Sequence, residues 1–511
     1  MINIYEPTIT KYSKSAIDAI NSGWISNHGK YIELANQNLC KTLDSKYSVL
    51  LSNGTCATHC LFLAIQYKHP EIIKIYVPNN AYVAAWNSAL MVYKINQLEV
   101  MKMNINTWNI ETNEEYFKTL DANSAVLIVH NLGNIINVPR LKKIRPDLIF
   151  VEDNCEGLFG KYNDIYSGTS SDILCSSVSF YGNKIITTGE GGAFLTNHQD
   201  VYEHIKKVYS QGMSSVRYLH DVHAYNYRMT NIQSAFLYDQ LNDIEEILQN
   251  KKRIFSYYEK LLDFLITDGK IELFKKEENT ENANWIFAIR IVGNTKTIEE
   301  TTNFFKDNNV DIRPFFYPIN SHKHLSSIKN EDGISYMLNR EIIMIPSSPS
   351  ITMEEQQQVV DVVFKFLLYV NNIKAVKINE TNLSDLNNFI PTIKSNFFRY
   401  YNNRTIDCVK NHFITYLFFN TIKNTFFGYT HIDYFEKHWF GIYLHNEYCG
   451  KNIGGMMLNY TLFQCNNTNI DEISLSVDVC NENAIKLYKK NKFIIDNEEQ
   501  DVFYIMRKKI N

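Results

Sequence analysis

Three short apolar runs constrain the fold most: IIKIYVP (Ile72 to Pro78), SAVLIVH (Ser124 to His130) and DLIFVED (Asp147 to Asp153). Runs of this length, bounded by turn or polar residues, read as buried strands, and they recur between helical patterns from about residue 2 to residue 250. That alternation predicts an α/β domain. Ligands of open α/β sheets gather at the carboxyl ends of the strands, and Asp153 closes one of these runs. It is a site candidate on position alone.

The chain has 511 residues, too many for one hydrophobic core. A helical pattern from Ile244 to Leu265 is followed by WIFAIRIV (Trp285 to Val292) and VDIRPFFYP (Val310 to Pro318), which suggest a smaller α+β domain. A last helix runs from about Met353 to Tyr369, and Val370 to Lys374 break the pattern. The expected domains are therefore 1–250, 251–372 and 373–511. The last, about 140 residues, is long enough for its own core.

Net charge is −4, so the chain lacks the basic excess that a nucleic-acid partner requires. The opening MINIYEPTITKYSK carries no basic segment followed by an apolar run, and no stretch approaches a membrane span. Nine cysteines without paired spacing or a CxxC motif favour a reducing, cytoplasmic setting and give no support to a zinc or other metal site.

The most informative stretch is SFYGNKIITTGEGGAFLTN (Ser179 to Asn197). With it, in order, stand WISNHGKYI (Trp24 to Ile32), LSNGTCATH (Leu51 to His59), VEDNCEG (Val151 to Gly157), YNYRMTNIQ (Tyr225 to Gln233) and RPFFYP (Arg313 to Pro318). Together these resemble the DegT/DnrJ/EryC1/StrS sugar aminotransferases, in the perosamine-synthase-like branch, across roughly the first 370 residues. The resemblance implies the aspartate-aminotransferase-like fold (fold type I) with a small α+β subdomain, and pyridoxal 5′-phosphate as cofactor.

What that cofactor needs gives each matching residue an implied role. Lys184 matches the family lysine, which holds the cofactor as an imine and then moves a proton. Asp153 matches the carboxylate that keeps the pyridine nitrogen protonated, and Glu156 the position beside the phenolic oxygen. Gly54 and Thr55, at a helix start, and the hydroxyl of Ser179 match the phosphate cradle. Tyr82 falls where relatives place a ring over the cofactor face. Asn226 resembles the residue lent to the phosphate by the neighbouring subunit, which implies a homodimer with shared sites. Plain alternatives stand beside these: an N-cap at Ser52 to Thr55, a strand serine at 179, a core tyrosine at 82.

Relatives of this branch transfer an amino group from L-glutamate to the 4-keto carbon of a nucleotide-linked 6-deoxyhexose, and the resemblance implies the same here. Lys30 and Arg313 are the candidate contacts for the nucleotide phosphates, with surface cations as the competing reading. His130-Asn131-Leu132-Gly133 stands where many relatives read His-x-Tyr-Gly. Relatives that act as dehydratases carry histidine in place of the lysine, and Lys184 argues against that reaction.

The last segment carries IYLHNEYCGKNIGGMMLNYTLF (Ile442 to Phe463) and ISLSVDVCNENAIKLYKKNKFII (Ile473 to Ile495). These resemble the acetyl-CoA half of GNAT acetyltransferases, where a glycine-containing turn opens a helix whose N–H groups hold the pyrophosphate. Gly450, Lys451 and Gly454 fit that turn, but Cys449 stands for the usual basic residue and Asn452 for the first glycine. Asn481 matches the family Asn-x-x-Ala position, and Tyr488 is the candidate acid for the departing thiolate. Asp433, Glu436 and Glu447 are carboxylates of the right region, and none is singled out as the base. The whole then reads as a bifunctional enzyme that aminates a sugar nucleotide and N-acetylates the product. The alternative is an aminotransferase with a degenerate GNAT-like domain serving dimerisation or regulation.

Overall fold

In the computed structural model the apolar runs become neighbouring strands of one sheet. Tyr47–Leu51 (β1), Ile75–Pro78 (β2), Leu98–Met101 (β3), Ala125–Val129 (β4), Ile149–Asp153 (β5), Cys175–Ser179 (β6) and Gly192–Thr196 (β7) form a seven-stranded sheet in the order β1-β7-β6-β5-β4-β2-β3. From β3 to β6 neighbours are parallel, while β7 runs antiparallel to β1 and β6. Strands β2, β4 and β6 are buried along their whole length, as expected when both faces of a parallel sheet are covered. The register sets Val129 opposite Asp153 and Asp153 opposite Ser177, so the carboxyl ends of β4, β5 and β6 lie abreast.

The structure describes residues 1–395, 397–434, 437–465, 468–499 and 502–510. They pack as two compact units, one of residues 1–257, 273–290 and 297–356, the other of residues 258–272, 291–296 and 357–511. In the first unit Ala288, Ile289 and Arg290 pair antiparallel with Met344, Ile343 and Ile342, and Arg313–Pro314 flanks the same strand.

In the second unit Ile373–Lys377 (β8), His412–Asn420 (β9), Thr425–Asp433 (β10) and Phe440–Leu444 (β11) form an antiparallel sheet in chain order. Glu472–Asp478 (β12), Ile494–Glu499 (β13) and Phe503–Lys509 (β14) form another, with β14 central. Among the described residues the two sheets meet at a parallel bridge, Trp439 to Ser474, where the Ser474 N–H donates to the carbonyl of His438 at 3.2 Å.

The helix Ile453–Phe463 explains why upstream segments join this unit. Its sequence, IGGMMLNYTLF, is apolar on every side, so it has to be covered on every side. One side faces the sheet, where the Thr461 and Thr430 hydroxyls bond at 2.7 Å. Phe364 covers another, its ring 4.8 Å from that of Phe463, and Gln464 donates to Asp361 at 2.7 Å. Among the described residues no helix is long and apolar enough to cross a membrane.

Candidate active site

The helix Gly54–Lys68 starts where Asn53 caps it, the Asn53 Oδ1 accepting the Cys56 N–H at 2.9 Å. This places Gly54 against the end of β6: a Cβ on Gly54 would lie 2.8 Å from Ser179 Oγ and 3.5 Å from Cys155 Sγ. Only a residue without a side chain leaves room there. Further along the helix, the Thr58 hydroxyl lies 3.1 Å from Ser177 Oγ and 3.5 Å from Asp153 Oδ2. Asp153 Oδ1 also accepts the N–H of Cys155 at 3.2 Å. Gly54, Ser179 and Asp153 thus come together where β5 and β6 end.

Glu156, buried, accepts the N–H of Leu132 at 2.8 Å. Burial pushes its carboxyl up to about 7, opposed by the positive charge of Lys184 and the Leu132 hydrogen bond and reinforced by the negative charge of Asp153. The Cys155 thiol is pushed well above its ordinary range, first by burial and then by Asp153, so it keeps its proton. Lys184 itself rests with Nζ 3.8 Å from the centre of the Trp285 ring, and the Trp285 indole N–H donates to the carbonyl of Asn183 at 2.7 Å.

Thr55 and Asn226 are exposed, and Tyr82 is 62% exposed with its ring 6.3 Å from that of Phe316. Lys30 is ion-paired with Asp18 at 2.8 Å, and Arg313 with Asp311. The Lys30 pair is exposed on both sides, which makes it weak and exchangeable, while in the other pair Arg313 is exposed and Asp311 is partly buried.

Trp285, Thr58, Cys155 and Ser177 were not singled out from sequence. Trp285 comes from a segment legible only as strand, and it reaches the lysine loop through tertiary contact. His130, the first residue of the His130-Asn131-Leu132-Gly133 segment, is fully buried. Its Nδ1 accepts the Ile136 N–H at 3.1 Å, so Nε2 carries the proton and donates to Glu152 at 3.0 Å, while Glu152 accepts the Tyr162 hydroxyl at 2.8 Å. That chain of buried bonds fixes the strand carrying Asp153.

In the second unit Gly450 and Asn452 both have left-handed backbone, φ 76° and 57°, just ahead of the helix Ile453–Phe463. Gly454 meets Leu487, whose side chain would lie 3.6 Å from a Cβ there, so the turn and the helix Glu482–Lys490 are neighbours. Asn481 caps the latter helix by accepting the Ala484 N–H at 3.3 Å. Tyr488 is buried against Phe493, and burial raises its hydroxyl, which therefore stays protonated at neutral pH. Lys451 is exposed. Of the three carboxylates, Asp433 accepts the Trp439 N–H at 2.9 Å, Glu447 is paired with Lys423 at 2.5 Å, and Glu436 lies outside the described residues.

A buried histidine pair on β9 and β10 was also not anticipated. The rings of His412 and His431 stack at 4.6 Å, and His412 bonds the hydroxyls of Tyr400 and Thr415, each at 2.7 Å. Burial, then the Arg404 charge, lowers His412 from 6.5 to about 4. A depressed histidine stabilises the fold above its unfolded value near 6.5, and this contribution is lost as pH falls toward 4. We expect the protection of β9 and β10 amides from hydrogen exchange to fall by roughly 2 kcal/mol between pH 7 and pH 5, and by clearly less in His412→Gln. An equal loss in both proteins would mean that His412 is not the group that titrates.

The family model of the DegT/DnrJ/EryC1/StrS aminotransferases matches residues 8–364, and the chain belongs to that family. The acetyltransferase (GNAT) family model matches residues 387–493, so a GNAT domain follows on the same chain. The GDP-perosamine synthase of Escherichia coli O157:H7 is 30% identical over 358 residues, covering 69% of this chain and 95% of that one. Among solved structures, the Helicobacter pylori aminotransferase PseC, involved in the biosynthesis of pseudoaminic acid, superposes with a TM-score of 0.63 at 20% identity, over 72% of this chain and 99% of its own. The E. coli GDP-4-keto-6-deoxy-D-mannose-3-dehydratase, solved with bound hydrated PLP, gives 0.63 at 19%, over 71% and 99%. An aminotransferase and a dehydratase share this fold, so the reaction is decided by site residues.

Proposed function

We propose that this chain transfers an amino group from L-glutamate to C-4 of a nucleotide-linked 4-keto-6-deoxyhexose and then acetylates the new amine from acetyl-CoA. The observation that carries the first half is the convergence of Gly54, Asp153, Glu156, Ser179 and Lys184 in the unit where the family model matches. These residues fit pyridoxal phosphate. The close approach of Gly54 to Ser179 leaves the helix N–H groups and a hydroxyl open to a phosphate, and a buried carboxylate at Asp153 suits a protonated ring nitrogen.

Bound there, the cofactor supplies an electron sink. Lys184 Nζ is the group that holds it and moves a proton at the substrate carbon. Asp153 would keep a proton on the ring nitrogen, Gly54, Thr55 and Ser179 would hold the phosphate, Tyr82 would cover the ring, and Glu156 would stand beside the phenolic oxygen. Exposed Asn226 is assigned to the phosphate of a second copy, which makes the working form a homodimer, and Lys30 and Arg313 to the nucleotide phosphates once Asp18 and Asp311 are displaced.

In residues 373–511 the turn Gly450, Lys451 and Gly454, with Asn481, receives the coenzyme, and protonated Tyr488 gives its proton to the leaving thiolate. Residues 1–250 and 251–372 then form the large and small aminotransferase domains. Support comes from the GNAT match and from the closeness of the turn to the Tyr488 helix.

The test supplies keto sugar, glutamate and acetyl-CoA together. Because the second compact unit draws in residues 258–272, a point variant replaces truncation. The full-length chain should yield the acetamido sugar. Tyr488→Phe should accumulate free amine, its second step slowed by about 10², and Lys184→Ala should acetylate only amine supplied to it. If the unaltered chain stops at the amine under saturating acetyl-CoA, the GNAT domain serves assembly or regulation instead.

A further inference from the structure

Asn452 poses a physical problem that the coenzyme turn solves with a residue from far upstream. It stands where the acetyltransferase pattern has glycine, and its backbone is left-handed, φ 57° and ψ 15°. Asparagine tolerates that region better than most residues, usually when its side chain finds a local partner. Here it makes no cap bond to its own helix. Its Nδ2 instead donates to Asp268 Oδ2 at 3.3 Å.

Asp268 follows the long helix Ile244–Thr267, and its carboxylate is only 2% exposed. The other oxygen accepts from Lys490 Nζ at 2.6 Å, at the end of the helix that carries Tyr488. Gly455 leaves the space for this arrangement: a Cβ there would lie 3.0 Å from Asn452 Oδ1 and 3.2 Å from Asp268 Oδ2. Among the described residues the carboxylate accepts from two side chains, Asn452 and Lys490, and not from the N–H groups of Ile453, Gly454 and Gly455 that open the helix.

We propose that Asp268 is the positioning residue of the coenzyme turn: it anchors Asn452 in the left-handed conformation that glycine would adopt unaided, and ties that turn to the Tyr488 helix through Lys490. The inference rests on the acetyltransferase reading above. A competing role makes the opposite prediction. If Asp268 merely neutralised Lys490, removing it would free a cation and tighten the binding of a phosphate-bearing ligand.

Two measurements on the full-length chain decide the matter. Titration calorimetry with CoA should show binding weakened by about tenfold in Asp268→Ala, and restored when Asn452→Gly is added, because glycine holds the turn without an anchor. Hydrogen exchange of amides 450–456 without ligand should be faster in Asp268→Ala. Asp268→Asn, which keeps an acceptor for Asn452 but loses the Lys490 ion pair, should fall between, and it guards against a misfolded alanine variant. Unchanged or tighter CoA binding in Asp268→Ala, or failure of Asn452→Gly to restore it, overturns the proposal. If the unaltered chain binds no CoA, the acetyltransferase reading falls. The exchange of amides 450–456 then still tells whether Asp268 holds the turn, and unchanged exchange overturns that too.

Discussion

On the function proposed above, Lys184→Ala is expected to lower amination of the keto sugar by a factor of at least about 10⁴, with loss of the visible absorbance of lysine-bound cofactor. The expectation follows from where Nζ sits. It lies over the Trp285 ring, in electrostatic reach of Glu156 and Cys155, on a loop that Trp285 bonds through the Asn183 carbonyl. Alanine keeps the loop and its backbone bonds and deletes only the amine. Lys184→Arg is the informative companion, because it restores a cation over Trp285 but no nucleophile. Both variants should be inactive. Purified Lys184→Ala that retains more than about 1% of turnover would remove the lysine from the chemistry.

Asp153→Asn should bind the cofactor and yet aminate on the order of 10³-fold more slowly, a loss of several kcal/mol in transition-state stabilisation. The amide can still accept the Cys155 N–H, so the local fold has a way to persist. What it lacks is the negative charge that keeps a proton on the ring nitrogen. The same charge raises Glu156, so its removal should move the Glu156 titration from about 7 to lower pH, as burial alone then opposes Lys184 and the Leu132 bond. A rate within a few-fold of the unaltered chain, measured with cofactor saturating, would show that ring protonation does not depend on Asp153.

The sequence by itself determined three of the seven strands, β2, β4 and β5, their buried character and the candidate Asp153 at the end of β5, because those are local properties: an apolar run bounded by polar residues buries itself in a parallel sheet whatever surrounds it. Asp153, Ser179, Gly54 and Lys184 belonged to motifs with fixed chemistry, and three of the four are brought to adjoining strand and helix ends by register alone. The division into units was legible less fully. The pattern break at residues 370–374 marks where a new strand begins, but it does not show that residues 258–272 and 291–296 pack with the segment beyond it.

Only the tertiary structure decided what covers an element that has no polar side. The helix Ile453–Phe463 announces by its composition that it must be enclosed, but not that Phe364 and Asp361 would enclose it. Likewise Asn452 was legible only as a departure from a glycine pattern. Its remedy, Asp268, lies 184 positions away, and hydrogen bonds between residues so distant leave no periodicity or spacing in the sequence. Trp285 under Lys184 and the stacked pair of His412 and His431 have the same origin: partners chosen by proximity in the folded chain, which local pattern does not encode.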